Sequence, residues 1–225
     1  IKEAADTFDQ IRVPFYSVPG NHDCDAQTWS YDYFAGRFAV PSPLNIVQVT
    51  PQIRLALANV FHQVDVKKHG SGIWTQVLDH ALREAADDAF ANGCGIILVL
   101  HTWMLSANED AQGLVENSHI LRQTIAECPS IAIVFTGHRH INRITCCSDY
   151  IVVDTACLIG YPLGFREVIL SEDGYFTTHF HTLDLPDLLQ NSKERSTPEQ
   201  NSIWAGSRRD RDTKIYVPRL ERIWS

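Results

Sequence analysis

The sequence lacks any apolar run near the about eighteen residues that a bilayer span requires, so no transmembrane helix is expected. It also lacks an excess of basic residues. Asp and Glu number 27 against 19 Lys and Arg, for a formal charge of −8. A chain of that charge has no general attraction to nucleic acid or to anionic membranes. If it handles phosphate, local cations must do the work. No Cys-x-x-Cys pair occurs among Cys24, Cys94, Cys128, Cys146, Cys147 and Cys157. Four of these lie in or beside apolar, strand-like runs, where a free cysteine behaves as a small hydrophobe, so reduced structural thiols are expected. The neighbours Cys146 and Cys147 would face opposite sides of a strand and make poor ligands for one metal. No internal repeat is present. The opening stretch IKEAADTFDQ is polar and helix-like, with neither the basic start nor the apolar run of a signal peptide. The chain does not begin with Met, and the true N-terminus is expected upstream. Cytoplasm is the expected compartment.

With 225 residues, 44% hydrophobic and 20% charged, the chain can build one domain with a sizeable core. Val13–Val18 reads as a short strand ending in Pro19-Gly20, and Trp29–Phe38 carries aromatics at helical spacing. Arg54–Phe61 reads as a strand. Ser71–Phe90 is the clearest amphipathic helix, with Ile73, Val77, Leu78, Ala81, Leu82, Ala85 and Ala89 at intervals of three and four and Gly93 beyond its end. Gly95–Leu100 (GIILVL) and Ile131–Phe135 (IAIVF) are continuous apolar runs, as expected of strands buried on both faces. A second helix is predicted over Val115–Cys128. Ile141–Cys147, Tyr150–Leu158, Phe165–Leu170 and Tyr175–Leu183 then read as consecutive strands with short turns. The order predicts an α/β domain over residues 1–186. A polar tail follows over 187–225, with a last strand at Thr213–Val217.

Three of the predicted strands run straight into polar residues: Asn21-His22-Asp23 after the first, His101 after GIILVL, and Gly137-His138-Arg139-His140 after IAIVF. In open α/β sheets, ligands bind beyond the carboxyl ends of the strands. The three histidine-bearing loops are therefore expected to converge on one edge of one sheet. Imidazole suits Zn, Fe and Mn, while amide and carboxylate oxygens suit harder ions, so a mixed His/Asn/Asp set fits a hydrolytic metal centre better than a cysteine-rich structural zinc site. His138 and His140 can face one site or reach two metals, and Gly137 is expected to let the backbone turn closely beneath them. A lone His at a strand end is more often a satisfied polar residue than a ligand. Beside the other two loops, His101 reads as a ligand.

The combination of "GNHD" after an apolar strand, a lone His after a second and "GHxH" after a third resembles the calcineurin-like metallophosphoesterases over residues 13–183. Thr75–Asp79 resembles that family's "QLxWL" helix, and Ala156–Arg166 its loop and strand after the site. The resemblance implies a four-layer αββα sandwich. It also implies a metal-dependent phosphomonoesterase or phosphodiesterase that uses a dinuclear metal centre, a metal-activated hydroxide and a small phosphoester substrate. The two divalent or trivalent ions would be Mn, Fe or Zn. Asn21, His101 and His138 match the ligands of the second metal, and His140 matches a ligand of the first. His22 matches the residue that contacts the substrate phosphate and assists the leaving oxygen, and Asp23 the carboxylate that supports that imidazole.

The sequence departs from the family in two places. The family's Asp-x-His and Gly-Asp motifs do not precede Asn21. Asp6 and Asp9 are poor substitutes, and an N-terminally truncated fragment carrying about half of the dinuclear site is the expectation. Thr102-Trp103 also follows His101 where many relatives have His-Pro, which would reshape the substrate mouth. Arg139, Tyr161 and Arg166 are candidates to touch substrate or to serve in packing. His179 and His181 read as a solvated strand edge, His62 and His69 as surface loop residues, and Cys24 as a small filler. Arg208, Arg209 and Arg211, interleaved with Asp210 and Asp212, read as a self-paired solvated stretch. The competing reading is a degenerate, non-catalytic domain that binds a partner or a single metal.

Overall fold

The structure, a computed structural model, describes residues 6–23, 34, 36, 38, 43–62, 64–65, 69–105 and 113–224. In chain order the elements are β1 (Leu44–Gln48), β2 (Ile53–Ala58), α1 (Gln76–Ala91), β3 (Gly95–Val99), α2 (Ser118–Glu127), β4 (Ile131–Thr136), β5 (Arg143–Cys146), β6 (Ile151–Asp154), β7 (Gly164–Leu170), β8 (Tyr175–Thr182), α3 (Pro186–Glu194), α4 (Pro198–Ala205), α5 (Arg208–Arg211), β9 (Thr213–Tyr216) and α6 (Pro218–Trp224).

The two apolar runs become neighbours. β3 and β4 pair in parallel at the centre of a six-stranded sheet ordered β1-β2-β3-β4-β6-β5, with β2 and β6 also parallel to them and the hairpin partners β1 and β5 antiparallel at the edges. Alternate residues serve opposite faces, as strand geometry requires. Ile96, Leu98 and Val134 meet Leu78, Leu82, Ala86, Leu121 and Ile125 of α1 and α2 on one side. Ile97, Ile133, Ile151 and Val153 meet Phe176, Val217 and Leu220 on the other. Burial on both faces explains why these strands are apolar throughout. The second face belongs to a three-stranded antiparallel sheet, β7-β8-β9. The layers therefore run helices, large sheet, small sheet. On the outer face of the small sheet Phe165, Ile169 and Tyr216 are about half exposed among the described residues.

Several elements differ from the sequence expectation. Val13–Val18 has no regular secondary structure and pairs with no strand among the described residues. Val13, Phe15 and Tyr16 are exposed, Pro14 and Pro19 offer no N–H, and Phe15 instead stacks on Phe8 at 4.4 Å. Of the aromatic run 29–38, Phe34, Gly36 and Phe38 are helical and the rest lies outside the described residues, as does Cys24. α1 starts only at Gln76, where the Thr75 hydroxyl accepts from the Leu78 N–H at 3.3 Å, and Val77 points outward. The four strands expected in succession divide: β5 and β6 complete the large sheet, and β7 and β8 begin the small one. Residues 187–212, expected as a meandering tail, form α3, α4 and α5, each begun by a proline at the first turn or a Ser/Thr capping box. Thr213–Tyr216 is the expected last strand. None of the described cysteines is in a disulfide, and no described helix is long and apolar enough to cross a membrane.

One cation ties the C-terminal helix to the core. Arg219 of α6 is 3% exposed. Its Nη1 donates toward the carbonyls of Ile125, Cys128 and Ile131 at 2.6, 3.0 and 2.9 Å, and its Nε lies 2.9 Å from an Asp149 carboxylate oxygen. The guanidinium thus satisfies the Ile125 carbonyl at the C-terminus of α2, the end that favours positive charge, and ties it to the first residue of β4. Replacing it with Met leaves the Ile125 and Ile131 carbonyls without this donor and Asp149 without its ion pair. Arg219→Met is expected to lower unfolding free energy by about 3–5 kcal/mol, read from urea denaturation. A loss below about 1 kcal/mol would show that water replaces the guanidinium without cost.

Candidate metal and phosphate site

The site forms where β3 and β4 end. Leu100 N–H still bonds the Phe135 carbonyl at 3.1 Å, and one step further Gly137 N–H donates to the His101 carbonyl at 2.8 Å. The two strands therefore release their chains at the same level, and His101 and His138 emerge side by side. His138 Nδ1 lies 3.2 Å from His101 Nε2, with the rings edge-to-face at a centroid distance of 5.2 Å.

The Asn21 loop arrives from the N-terminal side. Asp23 N–H donates to the Gly20 carbonyl at 3.2 Å, and Gly20 N–H donates to Asp23 Oδ2 at 2.7 Å. These two bonds close a tight turn with Asn21 and His22 at its tip. Asn21 Oδ1 lies 3.1 Å from His101 Nε2. The turn sits directly on the imidazole: a Cβ on Gly20 would stand 2.9 Å from the His101 ring. Glycine is required there by contact, not by dihedral angle. Sequence reasoning had assigned the close approach to Gly137, but a Cβ there would meet its nearest neighbour at an ordinary 3.7 Å. The unusual backbone falls instead on His138 and His140, at φ 63° and 55°. Left-handed conformations of non-glycine residues cost about 1–2 kcal/mol each and concentrate at functional sites.

Burial sets the protonation of the cluster. It is the largest influence pushing the His101 pKa down to about 4, aided by the charges that His138, His140 and His22 would carry. Burial also lowers His138, with Arg139 and then His140 and His22 adding to it, and lowers His140, with His22 adding to it. Neutral imidazole is the form that binds metals.

Asn21 Oδ1 and His138 Nδ1 thus both lie within hydrogen-bond distance of His101 Nε2. Neighbouring ligands about 2.1 Å from one octahedral ion stand about 3 Å apart, close to the spacings seen here. Donor chemistry, spacing and protonation all fit a divalent ion. Among the described residues, no group of three or more His, Cys, Asp or Glu side chains is arranged to hold a metal. The fit therefore depends on the Asn21 amide. His140 shares the loop and feels the charge of His22, but it is exposed and lies outside this triple. His22 is exposed at the tip of the turn, and the Asp23 contact is to the turn backbone.

Behind the histidines lies a support that sequence reasoning missed. Thr136, just before Gly137, hydrogen-bonds Asp154, which pairs with Arg143 at 3.0 Å. Burial, the largest influence, holds the Asp154 carboxyl above its ordinary value against the pull of Thr136 and Arg143. Arg143 also lies over the buried Trp103 ring at 4.3 Å, and Arg139 lies over the same ring at 5.3 Å. The only sequence signal was the unusual Thr102-Trp103 after His101. Two other candidates make contacts within the fold. Arg166 is half-buried against Asn142, Thr155, Thr178 and the Asp210 carbonyl, and desolvation lowers its pKa to about 10. Tyr161 N–H donates to the Ser192 hydroxyl at 2.8 Å, joining α3. His181 and His179 pair with Glu167 and Asp212 on the small sheet, and His69 pairs with Glu116.

The protonation argument has a measurable consequence. As pH falls below about 6.5, the unfolded chain binds a proton at His101 that the folded protein refuses until about pH 4. Metal-free protein should lose stability through that window, by about 3 kcal/mol at its lower end. His101→Gln should remove the His101 share of this pH dependence and leave that of His138 and His140, compared by urea midpoints in EDTA at pH 7.5 and 4.5. Equal pH dependence in the two proteins would contradict the burial account.

No protein-family model matches the chain, and no curated protein sequence matches it. Solved structures do. A dimetal phosphatase from Danio rerio superposes with a TM-score of 0.64 at 13% identity, covering 80% of this chain and 75% of its own. A protein from Staphylococcus aureus designated a candidate 5′-nucleotidase, in complex with α-ketoglutarate, gives 0.49 at 14% identity, with 86% of this chain matched to 44% of that one. The first likeness establishes a shared fold. The chain has a mixed α/β fold of the metallophosphoesterase type.

Proposed function

We propose that this chain is a metal-dependent phosphoester hydrolase. The observation that carries the reading is the meeting of Asn21 Oδ1, His101 Nε2 and His138 Nδ1 at 3.1 and 3.2 Å beyond the carboxyl ends of two parallel strands. The phosphatase fold it shares at 0.64 TM-score supports the same class. Asn21, His101 and His138 would hold one divalent ion, with His140 contributing to a second in a dinuclear centre of Mn, Fe or Zn. Ions bound there supply Lewis acidity toward a phosphoryl oxygen and lower the pKa of water toward neutrality.

The chain's own residues do the rest. The turn closed by Asp23 presents His22 outward, where its imidazole hydrogen-bonds the substrate phosphate and gives a proton to the departing oxygen. Asp23 acts through the backbone of that turn. The αL conformations of His138 and His140 hold two rings on a loop of minimal length. A small phosphoester reaches the exposed His22 and His140 from solvent.

The alternative, a non-catalytic domain holding at most one metal, is favoured by one observation: the described residues offer no cluster of three His, Cys, Asp or Glu ligands. One experiment separates the two. With Mn²⁺, the chain is expected to hydrolyse p-nitrophenyl phosphate or bis-p-nitrophenyl phosphate and to lose that activity in EDTA. His22→Ala should cut kcat by about 10²–10⁴-fold with the far-UV spectrum unchanged. No turnover by metal-loaded protein would move the assignment to the scaffold, and equal turnover by His22→Ala would remove His22 from the mechanism. In parallel, His138→Ala should reduce bound Mn²⁺ measured by mass spectrometry after gel filtration, an outcome independent of turnover.

A further inference from the structure

Near the carboxyl ends of β4 and β6 the two sheets do not close on each other. Among the described residues a groove of about 500 Å³ lies between them. Phe135 of β4 and Thr155 just beyond β6 line one side, Phe165, Arg166 and Val168 of β7 the other, and Leu158 lines it from the loop between. Arg166 accounts for the gap. Its Nε donates to the Thr155 hydroxyl at 3.3 Å and its Nη1 to the Thr178 hydroxyl at 3.1 Å. Its Nη2 donates to Asn142 Oδ1 and the Asp210 carbonyl at 3.0 and 2.9 Å. A guanidinium strut thus joins the sheets where apolar side chains would otherwise meet. All three of its nitrogens are engaged within the fold, so the groove offers an incoming group mainly apolar wall. The loop behind Leu158 is fixed: Ala156 N–H donates to Asn142 Oδ1 at 3.2 Å, and the Leu163 carbonyl accepts from Leu183 N–H at 2.8 Å. Leu158 is nevertheless 49% exposed.

The groove is continuous with the candidate metal site through Gly137. Gly137 follows β4 as Thr155 follows β6: Thr155 N–H bonds the Thr136 carbonyl at 3.0 Å, and Gly137 N–H bonds the His101 carbonyl at 2.8 Å. Gly137 is therefore the middle of a row, with His101 on one side and Thr155 on the other, and neighbouring strands stand about 4.8 Å apart. It shares a face with Phe135, two residues back. A Cβ on Gly137 would have only His101 within 4 Å, at the carbonyl oxygen and at Nδ1. Toward Thr155 that position has no described atom so near. Glycine leaves the way clear from the His101 imidazole to the groove. We infer that the groove receives the alcohol portion of the phosphoester substrate, and that this portion is apolar. This rests on the phosphoester-hydrolase reading and names its substrate class. Pockets of about 300–1,000 Å³ with mostly apolar walls suit small organic groups. A polar alcohol would leave hydroxyls without partners against Phe135, Leu158 and Val168, because the donors of Arg166 are already engaged. In the reaction, water supplies the new P–O bond, the ester P–O bond breaks, and the departing oxygen takes a proton, which leaves an apolar alcohol in the groove.

The test uses the full chain with Mn²⁺, phenyl phosphate and 2-naphthyl phosphate, whose alcohols are of similar acidity and differ in apolar area. The wild type should favour the naphthyl ester by about 10-fold in kcat/KM. Leu158→Ser should cut that preference to about 3-fold or less, chiefly through the naphthyl ester. Ile169→Ser is the control: Ile169 is as exposed as Leu158 but lies on the outer face of the small sheet, and its loss should leave the preference unchanged. A second readout needs no turnover. 2-Naphthol, followed by its own fluorescence, should bind the metal-free protein, bind Leu158→Ser about 3- to 10-fold more weakly, and bind Ile169→Ser as it binds the wild type. Equal use of the two esters, a preference that survives Leu158→Ser, or naphthol binding that Ile169→Ser weakens as much as Leu158→Ser overturns the inference. If the wild type hydrolyses neither ester, the hydrolase reading falls and the substrate class falls with it. Naphthol binding to wild type and Leu158→Ser then decides alone whether the groove takes apolar ligands.

Discussion

Gly137 N–H reaches the His101 carbonyl across 2.8 Å, one step beyond the last ladder bond of β3 and β4, and every feature of the site depends on that alignment. Two parallel strands in register end at the same height, so residues that follow them in sequence become neighbours in space. The bond extends the pairing just far enough to set His101 and His138 edge to face. A slip of one residue would turn one of the two rings to the opposite face of the sheet. The register is held in turn by side chains buried on both faces, which is why these strands tolerate almost no polar residue before they end.

Polar groups at that end are layered by depth. Asp154, Thr136 and Arg143 lie deepest, and the Arg143–Asp154 pair is satisfied by hydrogen bonds as well as by charge. Such a pair contributes little net stability against an apolar replacement, but it is costly to break by removing one partner. Its place directly behind Gly137 links it to the conformation of the histidine loop. Arg143 also lies over the buried indole of Trp103, and the imidazoles of His101 and His138 are neutral because they are partly buried and close to one another. His22 and Arg139 form the exposed rim. The gradient from paired charge to neutral donor to solvated cation suits a site that receives a multiply charged ion and a multiply charged substrate.

The C-terminal elements close the same architecture from the far side. Asn142 accepts from Ala156 N–H and from Arg166, while its own N–H bonds the Trp204 carbonyl in α4. Arg166 bridges the two sheets, and Asp210 of α5 caps the Ile144 N–H at the edge of β5. The short helices after β8 are thus fastened at the β5 edge of the large sheet. Their polarity, which in sequence resembled an unstructured tail, reflects how little of their surface is buried.

Local information was enough for part of this protein. Continuous apolar runs marked β3 and β4 because strands covered on both faces have no polar side to show, and the polar residues that end them marked where a site would lie. Helix α1 was legible from its period of three and four, though not its start, which a single Thr75 hydroxyl decides. What the sequence could not determine depended on contacts between distant segments. Asn21 meets His101 across 80 residues, and His101 meets His138 across 37. Gly20 rather than Gly137 proved to be the crowded glycine, because the crowding atom belongs to another loop. Val13–Val18 has the composition of a strand but no described partner, and strand propensity without a partner does not make a strand. The division of β5 to β8 between two sheets, and the capture of Arg139 by Trp103, were likewise decided by tertiary structure. Residue type limits what a side chain can do, but only packing determines which side chains it meets.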